Sequence, residues 1–222
     1  MTATLHPIVA VDGTAASGKS TFSRALAQRL GFDYVNTGAM YRGVTWFLQQ
    51  RQIDLADPGA VARAFAEVQL ETGLYEGELT FRIAGTDPLP HVREPAINQG
   101  VSLVARVPEV RQRLVAEQQG LALLAPLVME GRDIGTVVFP DSAYKFYVDA
   151  DPAVRAERRS KQGETDVILQ RDAMDQARIH SPLTHAPDAL HLDSGRATVE
   201  EMVVRALAHL AARGLAAGET KS

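Results

Sequence analysis

The sequence predicts an α/β protein, a parallel sheet flanked by helices with one small insertion. Two observations carry this. Helix-like and strand-like segments alternate along most of the 222 residues, and strands separated by helices pair in parallel through right-handed crossovers. The alternation breaks only near Val68 to Ala84, where two strand-like segments meet at Glu76-Gly77 and look antiparallel.

The elements follow in order. Ile8 to Val11 is a continuous apolar run, the pattern of a strand buried on both faces. Lys19 to Leu30 has helical periodicity, Tyr34 to Asn36 is a short strand, and Gly38 to Gln50 is a second helix. Pro58 to Val68 is a third, with Val61, Phe65 and Val68 on one face. Val68 to Tyr75 and Leu79 to Ala84 form the hairpin, and the proline-rich Thr86 to Pro95 is irregular or a short edge strand. Ala96 to Val107 and Pro108 to Gln119 are helical, with Pro108 suited to a first turn. Leu127 to Glu130 and Lys145 to Asp149 are strands. Helices from Pro152 to Lys161 and Asp166 to His180 follow, the second stopped by Pro182. A short strand at Ala189 to Asp193 and a helix at Val199 to Arg213 end the pattern, with a frayed tail from Ala216 to Ser222.

The run Gly13-Thr14-Ala15-Ala16-Ser17-Gly18-Lys19-Ser20 fits GxxxxGKS/T without a miss and lies between the first strand and the first helix. Glycines let backbone approach phosphate, and successive N–H groups at a helix N-terminus make an anion nest. In such a loop Lys19 reaches the β- and γ-phosphates and the Ser20 hydroxyl ligates Mg. The motif implies a nucleoside triphosphate but not its fate.

Composition narrows the class. Apolar content of 45% and charged content of 23% suit one globular domain with a sizeable core. A net charge of −4 argues against a general nucleic-acid binder. The absence of cysteine removes disulfides and thiolate metal sites and fits a cytoplasmic enzyme. No signal segment is visible, and the longest apolar stretch, Leu121 to Met129, contains Pro126 and cannot span a bilayer.

Four further clusters carry polar chemistry. Thr37, Tyr41 and Arg42 sit where a strand enters a helix; either they hold a second anion, or Thr37 caps the helix and Arg42 is solvated. Arg132 and Asp133 follow the Leu127 strand, as a ligand-binding pair or as a surface ion pair. Arg155, Arg158 and Arg159 share a helical face, as a closing lid that meets a phosphoryl group or as a solvated basic face. Arg171, Asp175 and Arg178 form a stripe that spacing alone explains as a salt-bridge ladder. The histidines show no metal-ligand spacing.

The runs IVAVDGTAASGKST, NTGAMYR, HVREPAIN, VSLVARVPEVRQRL, MEGRDIGTVVFPD and KFYVDADPAVRAERR, with RD-AMD-QAR and SPL, together resemble the bacterial cytidylate kinases over nearly the whole chain. The resemblance implies a P-loop fold over 1–222 as one domain, with a CMP-binding insert at about 65–110 and a short lid at about 153–170. It implies transfer of the γ-phosphoryl of ATP to CMP or dCMP with Mg, by a monomer that binds no nucleic acid and no membrane. By position in these runs, Gly13 to Thr21 correspond to the ATP loop, and Arg42, Arg132 and Arg178 to acceptor-phosphate arginines. Ser102, Arg111 and Asp133 correspond to cytosine readers, Arg171 and Asp175 to ribose contacts, and Thr37 and Tyr41 to further acceptor positions. Lys19, Arg132, Arg178 and the lid arginines Arg155, Arg158 and Arg159 correspond to the catalytic set. The connection from Lys161 to Thr165 is shorter than in several family members. Two rival readings of the loop are a UMP or AMP kinase and a nucleic-acid-dependent ATPase; the acidic net charge opposes the second.

Overall fold

A computed structural model of the chain describes residues 6–161, 172–174 and 183–215. Seven strands form one sheet in the order β3-β4-β2-β5-β1-β6-β7. They are β1 (Ile8–Gly13), β2 (Asp33–Asn36), β3 (Leu70–Tyr75), β4 (Glu78–Ile83), β5 (Leu127–Gly131), β6 (Tyr144–Asp149) and β7 (Leu190–Asp193). Every neighbouring pair is parallel except β3 with β4. The alternating pattern therefore yields the mostly parallel α/β sheet that the sequence predicts.

Strand periodicity divides the core in two. Along β1, Ile8 and Ala10 pack into one apolar layer, while Val9 and Val11 pack into the other. The first layer takes in α2 (Thr37–Gln50), α3 (Pro58–Phe65), α4 (Pro95–Val104) and α5 (Pro108–Leu121). The second takes in α1 (Lys19–Leu30) and α7 (Val199–Ala212). Being buried on both faces, β1 and β5 need the continuous apolar runs seen in the sequence. The remaining helix, α6 (Pro152–Lys161), follows β6.

Local chemistry explains the helix ends. Asn36, not Thr37, caps α2, its side chain accepting from the Ala39 N–H at 3.1 Å. Asp57 caps α3 ahead of Pro58, and Thr198 with Glu201 forms a reciprocal capping box on α7. Glu76 and Gly77 both take positive φ, 49° and 79°, as the two-residue turn joining β3 and β4 requires.

That hairpin extends the central sheet: Tyr34 pairs with Glu78, and the Tyr34 N–H donates to the Gly77 carbonyl at 2.8 Å. The hairpin within the expected insert is thus hydrogen-bonded to the main sheet. Between β4 and α4 the irregular stretch contains a single 3₁₀ turn, Leu89–His91. After β5 the sequence suggests a plain loop, but Ile134–Val138 forms one π-helical turn. The π turn is a tertiary effect, since the Asp12 side chain on β1 accepts the N–H groups of Ile134 and Gly135 that open it. The expected lid is described only to Lys161, and Asp172–Met174 are helical; the rest of the Asp166 to His180 helix and the tail after Leu215 lie outside the described residues.

Candidate active site

Among the described residues, most of the predicted site residues lie at the carboxyl ends of the strands, where β1, β2 and β5 end at Gly13, Asn36 and Gly131. Open parallel sheets bind ligands at this edge. A cleft of about 1100 Å³ lies there, walled on one side by Lys19, Ser20 and Thr21 of α1 and on the other by α2, α4 and α5.

The wall formed by the Gly13 to Ser20 loop is built by backbone geometry. Gly13 lets β1 run against β6: a Cβ there would stand 2.0 Å from the Val148 carbonyl oxygen. Ala16 and Gly18 take left-handed φ of 55° and 81°, curling the loop onto the N-terminus of α1. Lys19 Nζ donates to the Thr14 carbonyl at 3.1 Å and lies 3.9 Å from Glu130 Oε2. The Thr14 hydroxyl donates to Asp149 at 2.5 Å. Ser20 and Thr21 are exposed to the cleft at the first turn of α1. A hydroxyl at that place, beside Lys19 and the Glu130 carboxylate, fits an octahedral oxygen-seeking cation such as Mg bound with phosphate. Among the described residues no cluster of three His, Cys, Asp or Glu could hold a metal by itself.

The three arginines of α6 diverge: Arg155 and Arg159 are buried, Arg158 is half-buried, and a guanidinium taken from water must find its own acceptors. Arg155 is buried, donates to the Ala15 carbonyl at 3.2 Å and pairs with Asp172. The other Asp172 oxygen accepts the Ala15 N–H at 3.0 Å. Arg158 binds the Ser194 hydroxyl and carbonyl at 2.8 and 2.7 Å, and that hydroxyl donates to the Ser17 carbonyl at 2.6 Å. Arg159 alone of the three lines the cleft. The shared face expected from spacing therefore supplies two braces behind the loop and one cleft residue.

The opposite wall of the cleft joins residues distant in sequence. Arg111 on α5 pairs with Asp133 after β5, both buried, and donates to the Ala105 carbonyl at 3.1 Å. Its guanidinium lies over the Tyr41 ring, 5.4 Å from the centroid. The Arg111 Nε is buried without a hydrogen-bond partner among the described residues. Ser102 on α4 lines the same cleft. Arg42 donates to Asn98 Oδ1 at 3.2 Å, and Arg132 donates to the Gly13 carbonyl at 2.5 Å. Thr37 donates to the Glu130 carbonyl at 2.9 Å. Arg171, Asp175 and Arg178 lie outside the described residues.

Several site residues carry no sequence assignment. Glu130 is buried at the end of β5 and accepts the Tyr34 hydroxyl at 2.7 Å; burial, and then the Glu130 charge, push the Tyr34 phenol well above its usual range. Asp12 is buried, and its carboxyl is raised to about 7, chiefly by burial and against two backbone N–H bonds. Asn98, Asp172, Asp149 and Ser194 complete the polar framework. All but Ser194 sit inside or beside the motif runs, yet nothing in linear spacing pairs them with their partners.

Among the described residues no helix is long and apolar enough to cross a membrane. The chain is 41% identical over 219 residues to a cytidylate kinase of Pelotomaculum thermopropionicum, covering 93% of this chain and 96% of that protein. A cytidylate kinase of Streptomyces avermitilis is 38% identical over 205 residues, covering 88% and 89%. A bifunctional pantoate ligase/cytidylate kinase of Prochlorococcus marinus is 44% identical over 212 residues; the match covers 89% of this chain but only 42% of that longer protein. With the cytidylate kinase family model matching residues 9–212 as well, the chain belongs to the cytidylate kinase family, a family of nucleoside monophosphate kinases.

Proposed function

We propose that the protein transfers the γ-phosphoryl group of ATP to CMP and dCMP, with Mg at the Ser20 hydroxyl. The observation that carries the acceptor identity is the buried Arg111–Asp133 pair lining the cleft across from Lys19, with the Arg111 Nε buried and unpartnered among the described residues. Cytosine presents an amino donor at C4 and acceptors at N3 and O2. A carboxylate accepts from the amino group, and a guanidinium or hydroxyl such as Ser102 donates to the acceptors. Uracil reverses the C4 and N3 groups, leaving mismatched buried partners at about 1–3 kcal/mol each.

In this reading Arg42, Arg132 and Arg178 hold the acceptor phosphate, Arg171 and Asp175 the ribose, and Gly13 to Thr21 the triphosphate. The segment at about 65–110 acts as the CMP-binding insert and contributes Asn98 and Ser102 to the cleft wall. The acceptor oxygen is already anionic and needs no strong base. It bonds to the γ-phosphorus as the bond to the β–γ bridging oxygen breaks, releasing ADP. Alignment and charge neutralisation by Lys19, Arg132, Arg159 and Arg178 do most of the work, with Arg155 and Arg158 acting through the loop they brace. When bound, Mg neutralises charge on the β- and γ-phosphates. The enzyme is proposed to work as a cytoplasmic monomer without nucleic acid.

A coupled ADP-release assay across CMP, dCMP, UMP and AMP tests the reading. CMP and dCMP should give the highest kcat/KM. A preference for UMP or AMP sinks it, and nucleic-acid-stimulated hydrolysis without CMP favours an ATPase instead.

A further inference from the structure

The donor loop and the acceptor loop are stitched together at two points. Asp12, the residue before Gly13, accepts the Ile134 N–H at 2.7 Å on one carboxylate oxygen and the Gly135 N–H at 2.8 Å on the other. Those two amides directly follow Arg132 and Asp133. In return, Arg132 donates to the carbonyl of Gly13. Both ends of the stitch are rigid: Asp12 pairs with Gly131 in the sheet, and Asp12, Gly13 and Ile134 are buried. Gly135 permits the contact, since a Cβ there would meet Lys145 side-chain carbons at 3.1 and 3.2 Å and the Asp12 oxygen at 3.3 Å.

We propose that Asp12 is a positioning residue that fixes Arg132 and Asp133 relative to the phosphate cradle, and so sets acceptor affinity and base selectivity. The inference rests on the functional reading above. Above about pH 7, where Asp12 is ionised, its carboxylate suits the task because it is acceptor-only and can serve two N–H groups at once. Asparagine has the same shape but one acceptor; its amide group would confront the second N–H, donor against donor. The acceptor loop should then shift while the cradle, held independently by Gly13, Gly18 and the α6 braces, stays in place.

The test is steady-state kinetics of the full chain and of D12N at pH 8, where Asp12 is ionised, with CMP, UMP and ATP varied in turn. D12N should raise the KM for CMP about tenfold and lower the CMP-to-UMP ratio of kcat/KM by a similar factor, as expected when one buried bond is replaced by an unmatched donor. The KM for ATP should change less than twofold. Equal changes in the CMP and ATP constants, or none in either, overturn the proposal. Should D12N not fold, G135A decides by the same ratio, because a Cβ 3.3 Å from the Asp12 oxygen crowds that contact while keeping every charge. A wild-type enzyme that does not use CMP overturns the functional reading instead; a wild-type enzyme that uses CMP beside an unaltered D12N overturns only the positioning role.

Discussion

Arg111 and Asp133 meet as a buried ion pair although 22 residues separate them, one on a helix and the other past a strand end. Neither can be removed without leaving the other charged and unpaired. The substitution D133N keeps the shape and one acceptor. It should lower the CMP-to-UMP ratio of kcat/KM about tenfold or more while the KM for ATP moves less than threefold. D133A should also destabilise the fold by about 3–5 kcal/mol, because a buried guanidinium loses its partner. Coupled kinetics and urea unfolding measure the two effects separately; equal loss of ATP and CMP affinity counts against the cytosine role.

Gly13 should be irreplaceable for reasons of space. Its missing Cβ would lie 2.0 Å from the Val148 carbonyl oxygen, which sheet pairing holds still. G13A should therefore cost about 3 kcal/mol by overpacking and weaken ATP binding through displacement of the loop. Thermal unfolding and calorimetric titration of a nonhydrolysable ATP analogue check this.

Arg155 predicts a different pattern from a lid residue that meets phosphate alone. It is buried, braces Ala15 and neutralises Asp172. R155A should lose about 3–5 kcal/mol of stability, since it strands the Asp172 carboxylate. The double variant R155A/D172N should recover part of that loss. Denaturation of both variants without nucleotide separates the brace from any role in catalysis.

Asp12 should leave a mark on the pH dependence of stability. Its carboxyl rises from an ordinary 3.8 to about 7 in the folded protein, where Asp133 opposes and Lys19 favours its charge, and the Tyr147 phenol lies nearby. Between these values the folded state holds a proton that the unfolded chain has released. The contribution is fully present below about 3.8, declines as pH rises, and is lost above about 7, by up to about 1.4 kcal/mol per pH unit. Unfolding of wild type and D12N at pH 5, 6, 7 and 8 should show a slope in wild type that D12N lacks.

Linear patterns encode what repeats along a strand, a turn or a helix. The Ile8 to Val11 run, the Gly13 to Ser20 loop and the Glu76-Gly77 turn could be placed because their causes are local: periodicity, backbone freedom and chain direction. The parallel direction of most strands likewise follows from alternation, and it brings the motifs at their carboxyl ends to one edge of the sheet. The sequence by itself thus determined the fold class, the triphosphate loop and a family resemblance. Tertiary structure decided which charges meet. It sent Arg155 and Arg158 behind the loop, joined the hairpin to β2, and gave Asp12 the two amides that open the π turn. The reason is physical: a buried polar group must find its partner wherever the packed chain places one, and sequence distance does not constrain that choice.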